Sequence, residues 1–195
     1  MILIQKQITI CTRQEFILSS MIAWKKLFNE YPSKETVGLI YSQYHLETGS
    51  KSWNWNISNI KVGKNLPSDT KYISLAGTWE IINGKKVIFP EGHPQTFFRA
   101  FDTLAEGLEH HLTFLSSKSN YKKAWLILGG SNPDPIAFAQ ALKSGGYYTA
   151  SVADYSKGLK SIFNSYLKTN EYQNALDTIQ SEPIKQFLKQ LQETK

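Results

Sequence analysis

The chain has 195 residues, of which 41% are hydrophobic, 19% charged and 13% aromatic, with a formal charge of +6 and a pI of about 9.2. That length fills one domain, with or without a small appendage. No apolar run approaches the roughly 20 residues of a membrane span.

The basic residues are dispersed, with Lys25–Lys26, Lys85–Lys86 and Lys122–Lys123 as the adjacent pairs. No basic block or nucleic-acid motif is present, so no nucleic-acid partner is expected, although the net charge favours anionic partners in general. The one cysteine, Cys11, excludes an intramolecular disulfide and a multi-cysteine zinc site. The opening "MILIQKQITI" is too short in its apolar part, and too polar after it, for a signal peptide. A soluble monomer is expected.

In chain order, Ile8-Thr9-Ile10-Cys11 is a β-like run in which Cys11 reads as a small buried hydrophobe. Thr12-Arg13-Gln14-Glu15 is a capping-box pattern, followed by a helical stripe of Phe16, Ile17, Met21, Trp24 and Leu27. Pro32-Ser33 interrupts the chain, and a second helix is expected from Lys34 to Thr48, ended by Gly49. Residues 50 to 71 read as loop, and residues 72 to 89 as a β-hairpin turning at Asn83-Gly84. Helix returns after Thr103-x-x-Glu106, after Asp134-Pro135 with closure at Gly145-Gly146, and after Ser151-x-x-Asp154. The remaining segment is polar, contains Pro183, and predicts one or two short peripheral helices. The pattern predicts an α+β, mainly helical domain over residues 1–167 with a polar helical extension over 168–195.

In the second helix Ile40, Tyr44 and Glu47 share one face at i, i+4 and i+7. Glu47 is therefore aimed along an apolar stripe, at a helix C-terminus where an anion opposes the macrodipole. One reading is a carboxyl whose pKa rises beside apolar groups, as a general acid requires. The other is a frayed helix end turned into solvent.

Glycoside hydrolysis usually needs a second carboxylate. Glu80, in Trp79-Glu80-Ile81-Ile82, faces Val87 across a two-residue turn and has no cross-strand cation. It is either that second acid or the solvent side of a half-buried strand. His45 points off the Glu47 face, and neither it nor His110-His111 has ligand-like spacing with a carboxylate or cysteine. His111, on a leucine stripe, reads as core. No metal and no cofactor are expected.

Five segments in order resemble the glucosaminidase family of peptidoglycan hydrolases, glycoside hydrolase family 73. "YSQYHLETGS" is similar to the family's helix ending in the catalytic Glu and Ser/Thr-Gly, and "WNISNIKV" to its Asn-Leu-Phe-Gly-Ile-Lys segment. "GTWEIINGKKV" resembles the hairpin that carries the second carboxylate, and "FFRAFDTLAEGLEHHLTFL" the Phe-Arg-Ala-Tyr-Asp-Ser segment with its helix. "FAQALKSGGYYTASVADYSKGLKSIF" resembles the closing Gly-Tyr motif. The likeness runs from about Thr12 to Tyr166.

The resemblance implies a lysozyme-like fold, with a helical lobe, a hairpin lobe and a glycan cleft between them. Bacterial peptidoglycan is the implied partner, cut at a β-1,4 bond of its N-acetylglucosamine/N-acetylmuramic acid strand. Carried over, Glu47 is the general acid, and Glu80 is the base that activates water or a stabiliser of positive charge. Tyr148 or Tyr155 takes the place of the family's active-site tyrosine, and Trp53, Trp55, Asn56, Asn59, Trp79 and Tyr147 are expected to bind glycan. Arg99 and Asp102 match as well, and read as structural: Arg99 as the partner of a buried acid, Asp102 as a helix cap.

Two departures stand out. Phe-Gly of the family is Ser58-Asn59 here, and the loop "YYTASVADY" is longer than usual. Phage-type members share this variant, which points to a phage or predatory-bacterium enzyme acting on the wall from the periplasm, from a virion or after phage release. A muramidase or lytic transglycosylase, or a non-catalytic wall-binding protein on the same fold, are the alternatives.

Overall fold

A computed structural model describes residues 1–63, 66–82 and 84–181. Pro183 and Asn83 of the expected turn lie outside the described residues. The helices are α1 (Arg13–Phe28), α2 (Lys34–Thr48), α3 (Leu104–Ser117), α4 (Lys122–Leu128), α5 (Pro135–Ser144), α6 (Val152–Leu167) and α7 (Glu171–Gln180). The strands are β1 (Ile2–Leu3), β2 (Ile8–Ile10), β3 (Lys51–Trp53), β4 (Lys71–Ser74), β5 (Trp79–Ile82), β6 (Lys85–Ile88) and β7 (Phe97–Arg99). The architecture is mainly helical α+β, as the sequence predicts.

The capping patterns start helices where the sequence places them. Thr12 and Glu15 form a reciprocal capping box for α1, while Ser33, Asp134 and Ser151 cap α2, α5 and α6. Before α3 the cap is Thr103, which accepts from the Glu106 amide at 3.2 Å. The expected cap Asp102 is instead ion-paired with Lys71 of β4.

Helix α2 is buried on every side from Thr36 to Tyr44, as befits a helix at the centre of a helical layer. Two of its buried hydroxyls bond main-chain carbonyls, whereas the Gln43 Nε2 has no hydrogen-bond partner among the described residues. The Ser42 hydroxyl donates to the Gly38 carbonyl at 2.6 Å, and that of Thr36 to Leu128 at 2.9 Å. Gly38 permits the closest approach of α6: a Cβ there would stand 2.5 Å from the Tyr166 ring. Phe16 of α1 stacks on Tyr44 at 4.3 Å between centroids. Helix α7 is less peripheral than expected. Ala175 and Ile179 enter the main core, and Glu171 pairs with Arg13 at 2.7 Å.

The β structure departs from a single hairpin spanning residues 72 to 89. Strand β4 lies between β1 and β7 in a three-stranded sheet, β2 pairs with β3, and only β5 and β6 form the hairpin. The cause is burial. Ile73 is fully buried with Phe98 and Ala100, which draws β4 onto β7, and Gly77 at φ 76° turns the chain before β5. The hairpin register is the expected one, Glu80 opposite Val87 and Ile82 opposite Lys85. Strand β3, within the stretch read as loop, holds its place through the Thr9 hydroxyl, which donates to the Ser52 carbonyl at 3.0 Å. Helix α4 was not legible because one seven-residue run carries too little periodicity.

Candidate active site

Glu47 occupies the last turn of α2, which closes on Gly49 at φ 60°. Of the two readings of Glu47, the half-buried one is observed, and this burial pushes the carboxyl pKa above the usual carboxylate range. A hydrogen bond from the Tyr155 hydroxyl to Oε1, 2.8 Å long, acts in the opposite sense and fixes the carboxyl orientation. Tyr155 projects from the first turn of α6, where its ring stacks on Tyr148 at 3.8 Å and 6°. The Tyr148 hydroxyl donates to the Ala139 carbonyl at 2.9 Å, and that of Tyr147 to Ser58 at 3.3 Å. Burial raises the pKa of all three phenols, so each remains a proton donor at neutral pH.

The long loop after Gly146 is held by one cation. Lys143 donates to the carbonyls of Thr149 and Ala150, both at 2.8 Å. The sequence signals α5 as a helix but does not show which way its last lysine turns.

Glu47, Glu80, Tyr147, Tyr148 and Tyr155 line one open cleft of about 480 Å³, together with Leu46, Asp154 and the Thr149–Ala150 turn. Helix α2 brings the first acid, the β5–β6 hairpin the second, and the segment into α6 the tyrosines. Glu80 is ion-paired with Lys61, which comes from outside the hairpin and was not anticipated as its partner.

The other expected glycan-binding residues are placed elsewhere. Trp53 packs against the Ile73–Phe98 cluster. Asn56 is 2% exposed, and its side chain bonds Ile60 and Arg99 main-chain groups at 2.9 Å. Trp55 has φ 54°, and its carbonyl meets Gly107 of α3 so closely that a Cβ there would lie 2.1 Å away. Asn59, at φ 51°, donates from Nδ2 to the Glu47 carbonyl at 3.0 Å. Trp79 is half exposed on the hairpin, with Lys86 4.8 Å from its ring centroid.

Arg99 has no acid partner among the described residues. Its guanidinium lies 5.6 Å from the Phe101 ring centroid. His45 bonds Ser50 at 2.6 Å, and buried His111 sits between the Ser58 hydroxyl at 2.7 Å and Gln43 at 3.1 Å. Among the described residues no group of three or more His, Cys, Asp or Glu side chains is placed to hold a metal ion, and no helix is long and apolar enough to cross a membrane.

The family described as Glucosaminidase, mannosyl-glycoprotein endo-beta-N-acetylglucosaminidase, matches residues 24–168. No curated protein gives a match. Among solved structures, a peptidoglycan hydrolase mutant from Sphingomonas sp. A1 is 24% identical with TM-score 0.54, over 85% of this chain and 99% of that one. The catalytic domain of the autolysin Auto from Listeria monocytogenes is 22% identical with TM-score 0.51, over 85% and 89%. A truncated glycoside hydrolase domain of FlgJ from Salmonella typhimurium is 17% identical with TM-score 0.51, over 79% and 94%. These likenesses establish the shared fold, α+β and lysozyme-like. With a family match across most of its length, the chain belongs to the glucosaminidase family and is a glycoside hydrolase.

Proposed function

We propose that the chain cleaves β-1,4 bonds of the peptidoglycan glycan strand, with Glu47 as general acid and Glu80 as second carboxylate. The observation that carries this reading is the half-buried Glu47 carboxyl, oriented by Tyr155 and raised in pKa, in a cleft that it shares with Glu80. Peptidoglycan as substrate is supported by the Sphingomonas hydrolase of like fold and by a net charge of +6 that suits a polyanionic wall.

Tyr155 occupies one carboxyl oxygen, so the proton resides on the other, available to the glycosidic oxygen. Its transfer releases the leaving sugar as the anomeric carbon gains oxocarbenium character. Glu80 then accepts a proton from the attacking water or opposes the positive charge on the sugar ring. Tyr147 and the stacked pair Tyr148–Tyr155 line the wall against which the sugar is oriented.

Mass spectrometry of fragments released from purified peptidoglycan tests this reading, with Glu47→Gln and Glu80→Gln alongside the parent. The expected products carry N-acetylglucosamine at the new reducing end and disappear with Glu47→Gln. Reducing N-acetylmuramic acid would identify a muramidase, and 1,6-anhydro ends a transglycosylase. Wall binding without any fragments would identify a non-catalytic binder.

A further inference from the structure

The β5–β6 hairpin carries Glu80 on a two-stranded unit, and such a unit has little stability of its own. Lys61 reaches it from the segment that leads away from α2. Its Nζ donates to Glu80 Oε1 and, at 2.9 Å, to Gln95 Oε1, while lying 5.8 Å from the Phe98 ring centroid. Lys61 is itself anchored by a bridge to Phe98 of β7, next to the bond from the Arg99 amide to the Ile60 carbonyl at 2.9 Å. Two residues earlier, Asn59 donates from Nδ2 to the carbonyl of Glu47. One short segment therefore grips both acid-bearing elements, α2 by its C-terminal carbonyl and the hairpin by its carboxylate.

We infer that Lys61 is a positioning residue for the hydrolysis, holding Glu80 at its working separation from Glu47 through the brace formed by residues 59–61. The inference rests on the reading of Glu80 as the second carboxylate. A carboxylate on a mobile strand samples many positions, and misplacement of a reacting group by about 1 Å can cost on the order of 100-fold in rate. Two bonds from one ammonium, one to the strand and one to the body of the domain, restrict that sampling. A lysine acting only through Glu80 has nothing left to position once Glu80 is removed.

The test is a double-mutant cycle on soluble glycan strands, with Lys61→Met, Lys61→Arg, Glu80→Gln and the Lys61→Met/Glu80→Gln pair. Hydrogen exchange of the hairpin amides is followed in each protein. Lys61→Met is expected to lower kcat by about 10- to 100-fold with a smaller change in KM, and to speed exchange in the hairpin. Lys61→Arg should restore most of the turnover, and the double variant should be no slower than Glu80→Gln alone.

Full turnover in Lys61→Met beside an impaired Glu80→Gln would overturn the role of Lys61 and leave that of Glu80 standing. Losses that multiply in the double variant would also overturn it, because Lys61 would then act on substrate directly. Full turnover in Glu80→Gln would remove the premise, and both assignments would fall together.

Discussion

Oε1 of Glu47 lies 2.8 Å from the hydroxyl of Tyr155, the one side-chain hydrogen bond on this carboxyl among the described residues. The bond spans 108 residues of sequence and joins the end of α2 to the start of α6. It has two consequences, one for the direction of the proton and one for the pKa of the group that carries it.

Tyr155→Phe removes a donor that favours the ionised form, so the Glu47 pKa rises further above the carboxylate range. A general acid works while protonated, and its pKa sets the alkaline limb of the kcat/KM profile. That limb should move to higher pH in Tyr155→Phe, while maximal kcat falls about 10-fold from lost orientation. The pH–rate profiles of the two proteins check both effects.

Burial of Glu47 also has a stability cost with a defined sign. Its native pKa is above the unfolded value, so the native state binds more protons wherever the unfolded carboxyl has ionised. Stability contributed by this group is complete below the unfolded pKa and declines as pH rises toward the native one. Glu47→Gln is therefore expected to raise Tm at neutral pH, and the gain should shrink toward pH 4. In a chain of this size each kcal/mol corresponds to about 2–4 °C, which calorimetry across that range resolves.

The two adjacent histidines act in the opposite sense. Burial lowers the pKa of His111 to about 3 and that of His110 to about 4, from an ordinary 6.5. Below pH 6.5 the unfolded chain takes up these protons and the native chain does not, so stability falls with acidification until the native values are reached. The slope approaches about 1.4 kcal/mol per pH unit for each histidine. Urea unfolding between pH 4 and 7 should show this slope, and His110→Phe should make it shallower.

Gly107 is the point where α3 accepts the Trp55 carbonyl. Gly107→Ala places a methyl group 2.1 Å from that oxygen, where backbone and not a flexible side chain must move. The expected cost is about 2–3 kcal/mol or more. Because the displaced segment leads into Asn59 and Lys61, turnover should fall as well. Chemical denaturation and turnover of the same protein check the pair of effects, whereas Gly63→Ala, with open space around it, should change neither.

Much of the helical frame was legible because its signals are local. The Thr12–Glu15 box, Ser33, Asp134-Pro135, Ser151 and Gly49 lie within a few residues of the ends they define. Helical periodicity put Glu47 in line with Ile40 and Tyr44 but left open whether its carboxyl is buried or turned into solvent. What the sequence hid was pairing at a distance. Strand β4 joins β1 and β7 because Ile73 finds Phe98, a contact with no nearby signature. Lys61 is 19 residues from Glu80, and Lys143 turns back to a loop whose path no pattern announces. Asn56 and Trp53 have the chemistry of glycan-binding residues, but their surroundings are main-chain groups and a small apolar cluster.

The most direct test is the initial rate of peptidoglycan solubilisation by the parent protein and by Glu47→Gln, both shown by calorimetry to be folded. A loss of at least about 100-fold is expected for Glu47→Gln, with binding to the wall retained. Equal rates for the two folded proteins would contradict it, since the acid would then lie elsewhere.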